Sequence, residues 1–127
     1  MKSPRERNSR YLGWVASLPC VACMTEGKTT FGVHVAHLRM GSIAHDKRET
    51  GMAEKPSDRW TTPLCPSHHV NGNKAQHHFG EDQFWREIGI DPFALCKALW
   101  FAYDAGKSGL PIIARIAGEA RRRKVIT

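Results

Sequence analysis

The stretch Thr61–Glu81, TTPLCPSHHVNGNKAQHHFGE, holds the densest group of metal-binding side chains in the sequence. It contains one of the four cysteines and four of the seven histidines. Thiolate sulfur and imidazole nitrogen are ligands that zinc and similar divalent ions accept near neutral pH. We therefore expect this stretch to form the centre of a metal-dependent site, with partners supplied by the residues that precede it.

The whole chain has the size and composition of one soluble globular domain. It has 127 residues, of which 41% are hydrophobic and 24% charged. No apolar run is long enough for a membrane span, and none follows the basic N-terminus to make a secretory signal. We therefore expect a cytoplasmic protein with no membrane partner, whose cysteines bind metal or remain thiols. The net charge of +7 favours an anionic partner, with nucleic acid as the first candidate. The sequence leaves the oligomeric state open.

Apolar periodicity and helix-breaking residues divide the chain into elements. The basic residues 1–10 are predicted to be a flexible arm, 11–80 a metal-binding core, and 81–127 C-terminal helices with a basic end. Helices are predicted at 10–18, 66–70, 81–88, 91–103 and 110–125. Strands are predicted at 31–40 and 59–64, joined by a long polar loop at 41–57. The aromatic residues expected in the core are Trp14, Trp85, Trp100 and Phe101.

Two short motifs, Cys20-x2-Cys23 and Cys65-x2-His68, are separated by 41 residues. Each pair fits on one turn of chain, and four ligands of these types complete the tetrahedron of a structural zinc site. Such a clip would hold the N-terminal helix against the hairpin and contribute directly to folding. The alternatives are a redox dithiol at Cys20 and Cys23 or simple buried cysteines. Cys96 lies in an apolar helix and is predicted to be a core thiol.

Four short segments, AHLR (36–39), KPSD (55–58), PLCPSHH (63–69) and HHFGEDQFW (77–85), together resemble the HNH nucleases, also called ββα-metal or His-Me finger nucleases. The likeness is greatest to phage and prophage members related to the recombination enhancement function nuclease. It extends from Cys20 to about Asp91. The resemblance implies an α+β fold with a small zinc-stapled ββα-metal core and flanking helices. It also implies a metal-dependent endonuclease that hydrolyses DNA phosphodiester bonds in phage recombination or DNA processing and leaves 5′ phosphates.

The resemblance implies a role for each matching residue. His37 matches the general base, which takes a proton from water near neutral pH. His69 matches the ligand of a single catalytic divalent ion (Mg²⁺, Mn²⁺ or another first-row ion), and His77 is the predicted second ligand. Asp58 matches a polar residue between the strands and is predicted to orient His37 or the loop. Arg39 is predicted to share the strand face of His37 and to clamp the phosphate.

One position departs from the family pattern, because Ala36 stands where many relatives carry a His or Asp metal ligand. His34 is the nearest histidine, but three residues along a strand should place it on the opposite face from His37. It is therefore predicted to be an ordinary surface or core residue, like His45 and His78.

The last predicted helix ends in a basic run that is predicted to contact the DNA backbone, formed by Arg121, Arg122, Arg123 and Lys124. The sequence leaves open whether the DNA is single-stranded, double-stranded or branched. The main alternative function is a non-catalytic zinc-binding module for nucleic acid with the same fold. A structural accessory protein of phage recombination is a third.

Overall fold

The computed structural model of the protein describes residues 7–50, 56–72 and 75–126. Within these residues the fold is mixed α+β, as predicted, with one two-stranded sheet among several helices. Residues 1–6 of the predicted arm and residues 51–55 of the predicted long loop lie outside the described part of the chain.

The sheet is an antiparallel pair, β1 (His34–His37) and β2 (Thr61–Leu64). Its register places the first residue of β1 opposite the last residue of β2. Both strands are shorter than predicted. Beyond β1, the carboxylate of Glu81 accepts the backbone N–H groups of Arg39 and Met40, each at 2.8 Å. A longer hairpin would have used such groups in its ladder, so the carboxylate replaces strand pairing at this end.

The helical segments are, in chain order, α1 (Ser9–Ala16), α2 (Val21–Thr25), a π-helical turn (Ser67–Asn71), α3 (Gln76–Phe79), α4 (Glu81–Ile88), α5 (Pro92–Asp104) and α6 (Leu110–Ile126). Four of the predicted helices occur within a few residues of their expected bounds. The short α-helix predicted at 66–70 is instead the π-helical turn, and α2 and α3 were not predicted. The structure therefore confirms an α+β fold, while the finer ββα-metal assignment stays a prediction.

Local signals explain where α4 ends and α5 begins. Gly89 follows α4 with φ +77°, in the left-handed conformation that suits a helix C-terminus. Asp91 then caps α5, because its carboxylate accepts the backbone N–H of Phe93 at 2.9 Å and of Ala94 at 3.3 Å. Pro92 occupies the first helical position, where its missing N–H has no consequence.

The core lies between the sheet and the helices, with α6 packed on both α2 and α5. Trp85 is buried as predicted, whereas Trp14 and Trp100 are half-buried. The prediction that Phe101 belongs to the core is wrong, because its side chain is 74% exposed. In α5 the buried face runs through Leu99 and its helical neighbours, and a residue two positions later points about 200° away from that face.

The N-terminal segment is tied to the strand side of the fold. Helix α1 begins at Ser9, so the last two residues of the predicted arm are helical. Asn8 caps α1 through its side chain, and its backbone N–H donates to Asp58 Oδ2 at 2.7 Å. Arg7 Nη1 donates to the other oxygen of the same carboxylate at 3.2 Å.

Residues 41–50, the longer of the two described parts of the predicted loop, are organised around a buried lysine. Lys47 is 7% exposed, and its ammonium group donates to the backbone carbonyls of Met40 at 2.8 Å, Arg48 at 3.1 Å and Arg39 at 3.3 Å. Burial lowers the pKa of this ammonium group. Three carbonyl partners satisfy its three donors, so the cation holds the loop against the end of β1.

Candidate metal centre and histidine cluster

Four predicted zinc ligands converge in the structure, where their ligand atoms all lie within 4.8 Å of one another. Cys20 is the N-cap of α2 and Cys23 lies within it, so the short helix presents both sulfurs on one side. Cys65 follows β2 directly, and His68 lies on the π-helical turn. We call this group the Cys3His cluster.

The separations within the Cys3His cluster fit a zinc tetrahedron. Bonds of about 2.3 Å to sulfur and about 2.0 Å to nitrogen imply S···S separations of about 3.8 Å and S···N separations of about 3.5 Å. The Sγ atoms of Cys23 and Cys65 are 3.7 Å apart. The Nδ1 atom of His68 lies 3.2 Å from the sulfur of Cys65, 3.5 Å from that of Cys23 and 3.6 Å from that of Cys20.

The same distances argue against a disulfide, whose sulfurs would be about 2.05 Å apart. All four cysteines are free thiols in the structure, and Cys96 is buried as predicted. On the other side of the cluster, Nε2 of His68 lies 3.5 Å from the carboxylate of Glu26. A carboxylate behind a ligating imidazole is the usual means of fixing the ring and its tautomer. The Cys3His cluster could therefore hold a metal ion such as zinc.

Without a metal the three thiols differ in acidity. Burial raises the pKa of Cys20 to about 12 and also raises that of Cys23. Burial acts in the same direction on Cys65, but the backbone N–H and ring of His68 and the neighbouring thiols outweigh it and lower its pKa to about 7. Because ligation requires thiolates, loading the cluster would release protons, with Cys65 giving up its proton most readily.

His37, the predicted general base, is paired with a buried carboxylate. Its Nε2 atom lies 3.0 Å from Oδ1 of Asp58, whose side chain is 3% exposed. Burial acts to raise the pKa of Asp58, but the hydrogen bonds from His37 and from the Asn8 N–H, together with the charge of Arg7, hold it below its ordinary value. An ionised Asp58 favours the proton of His37 on Nε2. This is the contact that the predicted orienting role of Asp58 requires, and the role itself stays a prediction.

Three imidazoles meet beside this pair. Nδ1 of His34 lies 3.0 Å from Nδ1 of His69, with ring centroids 5.2 Å apart, and the rings of His69 and His77 have centroids 4.7 Å apart. Burial, with the nearby His77, His34 and His37, lowers the pKa of His69 to about 4. We call His34, His69 and His77 the histidine cluster, and His37 is near enough to act electrostatically on it.

His34 is exposed, as a surface residue was predicted to be, but its ring also contacts a predicted metal ligand. Strand alternation placed it away from the site, but it is the first residue of β1 and pairs with Leu64, one residue before Cys65. At that end of the sheet its ring meets the π-helical turn that carries His69. The signal that would have identified it is the strand register, which the sequence alone did not give.

The histidine cluster is looser than the Cys3His cluster. Among the described residues, the ligand atoms of the Cys3His cluster all lie within 4.8 Å of one another, whereas those of His34, His69 and His77 do not. An ion shared by His34, His69 and His77 would therefore draw their nitrogens closer than they lie in this structure. Gln76, next to His77, is anchored, because its buried side chain accepts a hydrogen bond from Trp85 Nε1 at 2.8 Å.

Arg39 was predicted to clamp the phosphate because it was expected to lie on the same strand face as His37, and the structure does not place it there. Strand β1 ends at His37, so the two residues do not share a strand face. Arg39 is exposed, and its backbone is held by Glu81, a contact that sequence patterns did not indicate. Its role at the phosphate stays a prediction.

The predicted DNA-binding run at the end of α6 has contacts within the chain. Arg123 Nη2 donates to the carbonyl of Gly89 at 2.6 Å, at the C-terminus of α4. The guanidinium of Arg121 lies close to Gly27, just beyond the C-terminus of α2: a Cβ atom placed on this glycine would be 2.9 Å from Arg121 Nη1. Cations at helix C-termini are stabilising. Arg122 and Lys124 are exposed, and contact of this run with DNA stays a prediction.

No helix in the described part of the chain combines the length and the apolar character that crossing a bilayer requires. No curated protein and no solved structure gives a significant match to the chain. The family model described as a protein of unknown function, DUF968, matches residues 1–106. The chain therefore belongs to the DUF968 family.

Proposed function

We propose that the protein is a zinc-stapled, metal-dependent endonuclease that hydrolyses phosphodiester bonds of DNA. One observation carries this proposal: His37 is paired with a buried carboxylate at 3.0 Å and acts electrostatically on His69, whose imidazole meets those of His34 and His77. An oriented base beside a set of metal ligands is what hydrolysis of a phosphodiester needs. The net charge of +7 suits a polyanionic substrate.

In this proposal the Cys3His cluster binds a structural zinc ion. Its four ligands come from α2, from the end of β2 and from the π-helical turn, so the ion would join the N-terminal part of the chain to the hairpin. All four positions are occupied by protein ligands, which is typical of structural rather than catalytic zinc.

His37 acts as the general base. With Nε2–H donated to Asp58, Nδ1 is the nitrogen that takes a proton from the attacking water. The water oxygen bonds to phosphorus as the bond from phosphorus to the 3′ oxygen breaks, which leaves a 5′ phosphate on one fragment. Asp58 holds the ring in one tautomer and stabilises the imidazolium that forms, much as a buried aspartate does in other hydrolases.

The histidine cluster would hold the catalytic divalent ion. When bound, the ion supplies positive charge to the phosphate and to the leaving oxygen. A tetrahedral ion with nitrogen ligands places two nitrogens about 3.3 Å apart, close to the 3.0 Å between His34 and His69. Three nitrogen donors favour a first-row ion such as Mn²⁺, Ni²⁺ or Zn²⁺ over Mg²⁺, which prefers oxygen.

The test is cleavage of supercoiled plasmid and of single-stranded circular DNA, with Mg²⁺, Mn²⁺, Ni²⁺ or Zn²⁺ supplied to protein freed of loosely bound metal. We expect metal-dependent nicking by the wild type and a loss of about 100-fold or more in His37→Ala. Gln83→Ala, at an exposed position of α4, is the control for substitution and handling. Absence of nicking with every ion, or equal rates for wild type and His37→Ala, would overturn the proposal.

A non-catalytic zinc-stapled module for nucleic acid is the second candidate. The observation that favours it is the geometry of the two clusters, since the Cys3His cluster is closed around one point and the histidine cluster is not. Retained DNA binding without cleavage by any ion would select this function.

A further inference from the structure

A cavity of about 250 Å³ lies between loop 41–50, the residues that precede β2, and α5. Its lining includes His45, Asp46, Arg59, Trp60, Lys97 and Trp100. We call it the α5 cavity. At about 30 Å³ per water it has room for about eight waters, and it is smaller than the roughly 300–1,000 Å³ of sites for drug-sized ligands. A single ring system is therefore the size of ligand that it suits.

Aromatic rings supply part of the wall of the α5 cavity. The guanidinium of Arg59 covers one face of Trp100, 4.6 Å from the ring centroid, so a base at this wall would stack on the guanidinium or take its place on the indole. Trp60 packs edge-to-face on Phe93 at 6.2 Å, and His45 stacks on the same phenyl ring at 5.5 Å. The aromatic walls are thus supported from behind by α5 and do not need to be ordered by a ligand.

The charges around the cavity suit a nucleotide. Arg59 and Lys97 are exposed cations, able to face a phosphate outside the cavity. Asp46 adds a carboxylate, which repels phosphate but can accept a hydrogen bond from a ring or exocyclic N–H group of a base. With the base in the cavity and the phosphates at its rim, the phosphates would face Arg59 and Lys97 while the base could donate a hydrogen bond to Asp46.

The α5 cavity is also next to the proposed base. Arg59 and Trp60 directly follow Asp58, the partner of His37. The carbonyl of Trp60 accepts the backbone N–H of Leu38, the residue after His37, at 2.9 Å. Two peptide units span at most about 7.6 Å, so the cavity and the His37–Asp58 pair are close enough for one strand of nucleic acid to reach both.

We infer that the α5 cavity takes an unpaired nucleobase of the nucleic-acid strand that the His37 site acts on. This inference rests on the proposed nuclease function and adds the form of its substrate. A base stacked and paired in a duplex cannot enter a cavity of this kind, so the preferred substrate is single-stranded or locally unpaired. Stacking on aromatic side chains is tolerant of sequence, so no strong preference for one base is expected.

The test separates binding of bases from binding of phosphates. Fluorescence anisotropy would measure the affinity of two short labelled oligonucleotides of equal length, oligothymidylate and a chain of abasic sites with the same number of phosphates. We expect the wild type, without added divalent metal, to prefer oligothymidylate by about fivefold to more than a hundredfold, the range for stacking one base. Trp100→Leu should bring this ratio close to one. Phe101→Leu is the matched control, since it makes the same kind of change one residue away at an exposed position outside the cavity lining.

A second measurement uses the wild type alone, because Trp100 also contacts Tyr11 and its replacement disturbs that packing. An oligonucleotide that carries iodouracil is photo-crosslinked to the protein, and the attached peptide is identified by mass spectrometry. Attachment at Trp60 or Trp100 supports the inference, and attachment confined to other residues overturns it.

Equal affinity for the two oligonucleotides would also overturn the cavity inference, and if the protein still cleaved DNA the nuclease proposal would survive. Preference for bases in a protein that cleaves nothing would instead refute the nuclease and leave the α5 cavity as a site for an unpaired base.

Discussion

Removal of one sulfur from the Cys3His cluster is the sharpest test of how this fold is held together. We expect Cys23→Ser to lower the bound zinc from one ion per chain towards none and to reduce stability at the same time. In a metal-loaded chain the cluster closes a loop between Cys23 and Cys65, which are 42 residues apart in sequence. The chain-entropy relation for a cross-link of that length gives about 4 kcal/mol at 25 °C.

That magnitude is a large fraction of the roughly 5–15 kcal/mol by which a domain of this size is stable. With an ordinary urea dependence of about 1–3 kcal/mol per M, the midpoint of unfolding should fall by about 1.3–4 M. The five residues of α2 have little helical stability of their own, so this helix should be lost first. The assay is zinc content after dialysis, followed by urea unfolding monitored by circular dichroism.

Cys96→Ser is the matched control. Cys96 is equally buried, but it lies outside the cluster, where its thiol donates to the carbonyl of Thr61 at 3.3 Å. Its replacement should change stability without changing zinc content. Unchanged zinc in Cys23→Ser, or equal loss of zinc in both variants, would refute the assignment of the clip.

Three further perturbations test separate parts of the structure. Asp58→Asn presents an amide N–H that can turn the imidazole of His37 to the other tautomer. Nicking should then fall by about 10²–10⁴-fold, and the ¹⁵N chemical shifts of the ring should change. An unchanged rate would contradict the orienting role of Asp58. Glu81→Ala removes the carboxylate that accepts two backbone N–H groups beyond β1 and should cost about 1–3 kcal/mol in urea unfolding, whereas no loss would show that water replaces it fully. Gly89→Ala should cost about 1–2 kcal/mol because φ is +77°, while Gly13→Ala, inside α1 with nothing within 4 Å of an added Cβ, should stabilise by up to about 1 kcal/mol. Equal effects of the two glycine substitutions would contradict this reading of their backbones.

The sequence predicted those features that depend on residues close together in the chain. The helices predicted at 81–88 and 91–103 occur as expected, and the residues that bound them in the structure, Gly89 and Asp91, act on their immediate neighbours in the chain. The two halves of the Cys3His cluster are also local, and the chemistry of zinc indicated that they belong together. An apolar run such as 31–40 does not reveal where strand pairing ends, because that depends on what competes for its backbone groups. Here the competitor is Glu81, more than forty residues away.

The histidine cluster depends on contacts that a linear pattern does not contain. His34 joins it through the register of β1 on β2, and a shift of one residue would have moved that ring to the other face. The basic run at 121–124 was assigned to a partner from its charge, and that assignment stays a prediction. The charge pattern did not indicate that Arg123 also donates to the carbonyl of Gly89 at the C-terminus of α4.

The two clusters are coupled through the π-helical turn, which changes how loss of activity in their variants should be understood. His68 and His69 are consecutive residues, and the carbonyl of Cys65 accepts both of their backbone N–H groups, at 3.0 Å and 2.9 Å. One imidazole faces the Cys3His cluster and the other faces His34, so an ion in the first cluster would fix the turn that presents the second. Loss of both zinc and DNA cleavage in Cys23→Ser would therefore not show that Cys23 takes part in the reaction, because loss of the ion also releases the turn that carries His69. The informative comparison is His37→Ala, which should retain zinc and lose cleavage, because the base lies on the strand and contributes no ligand to the clip.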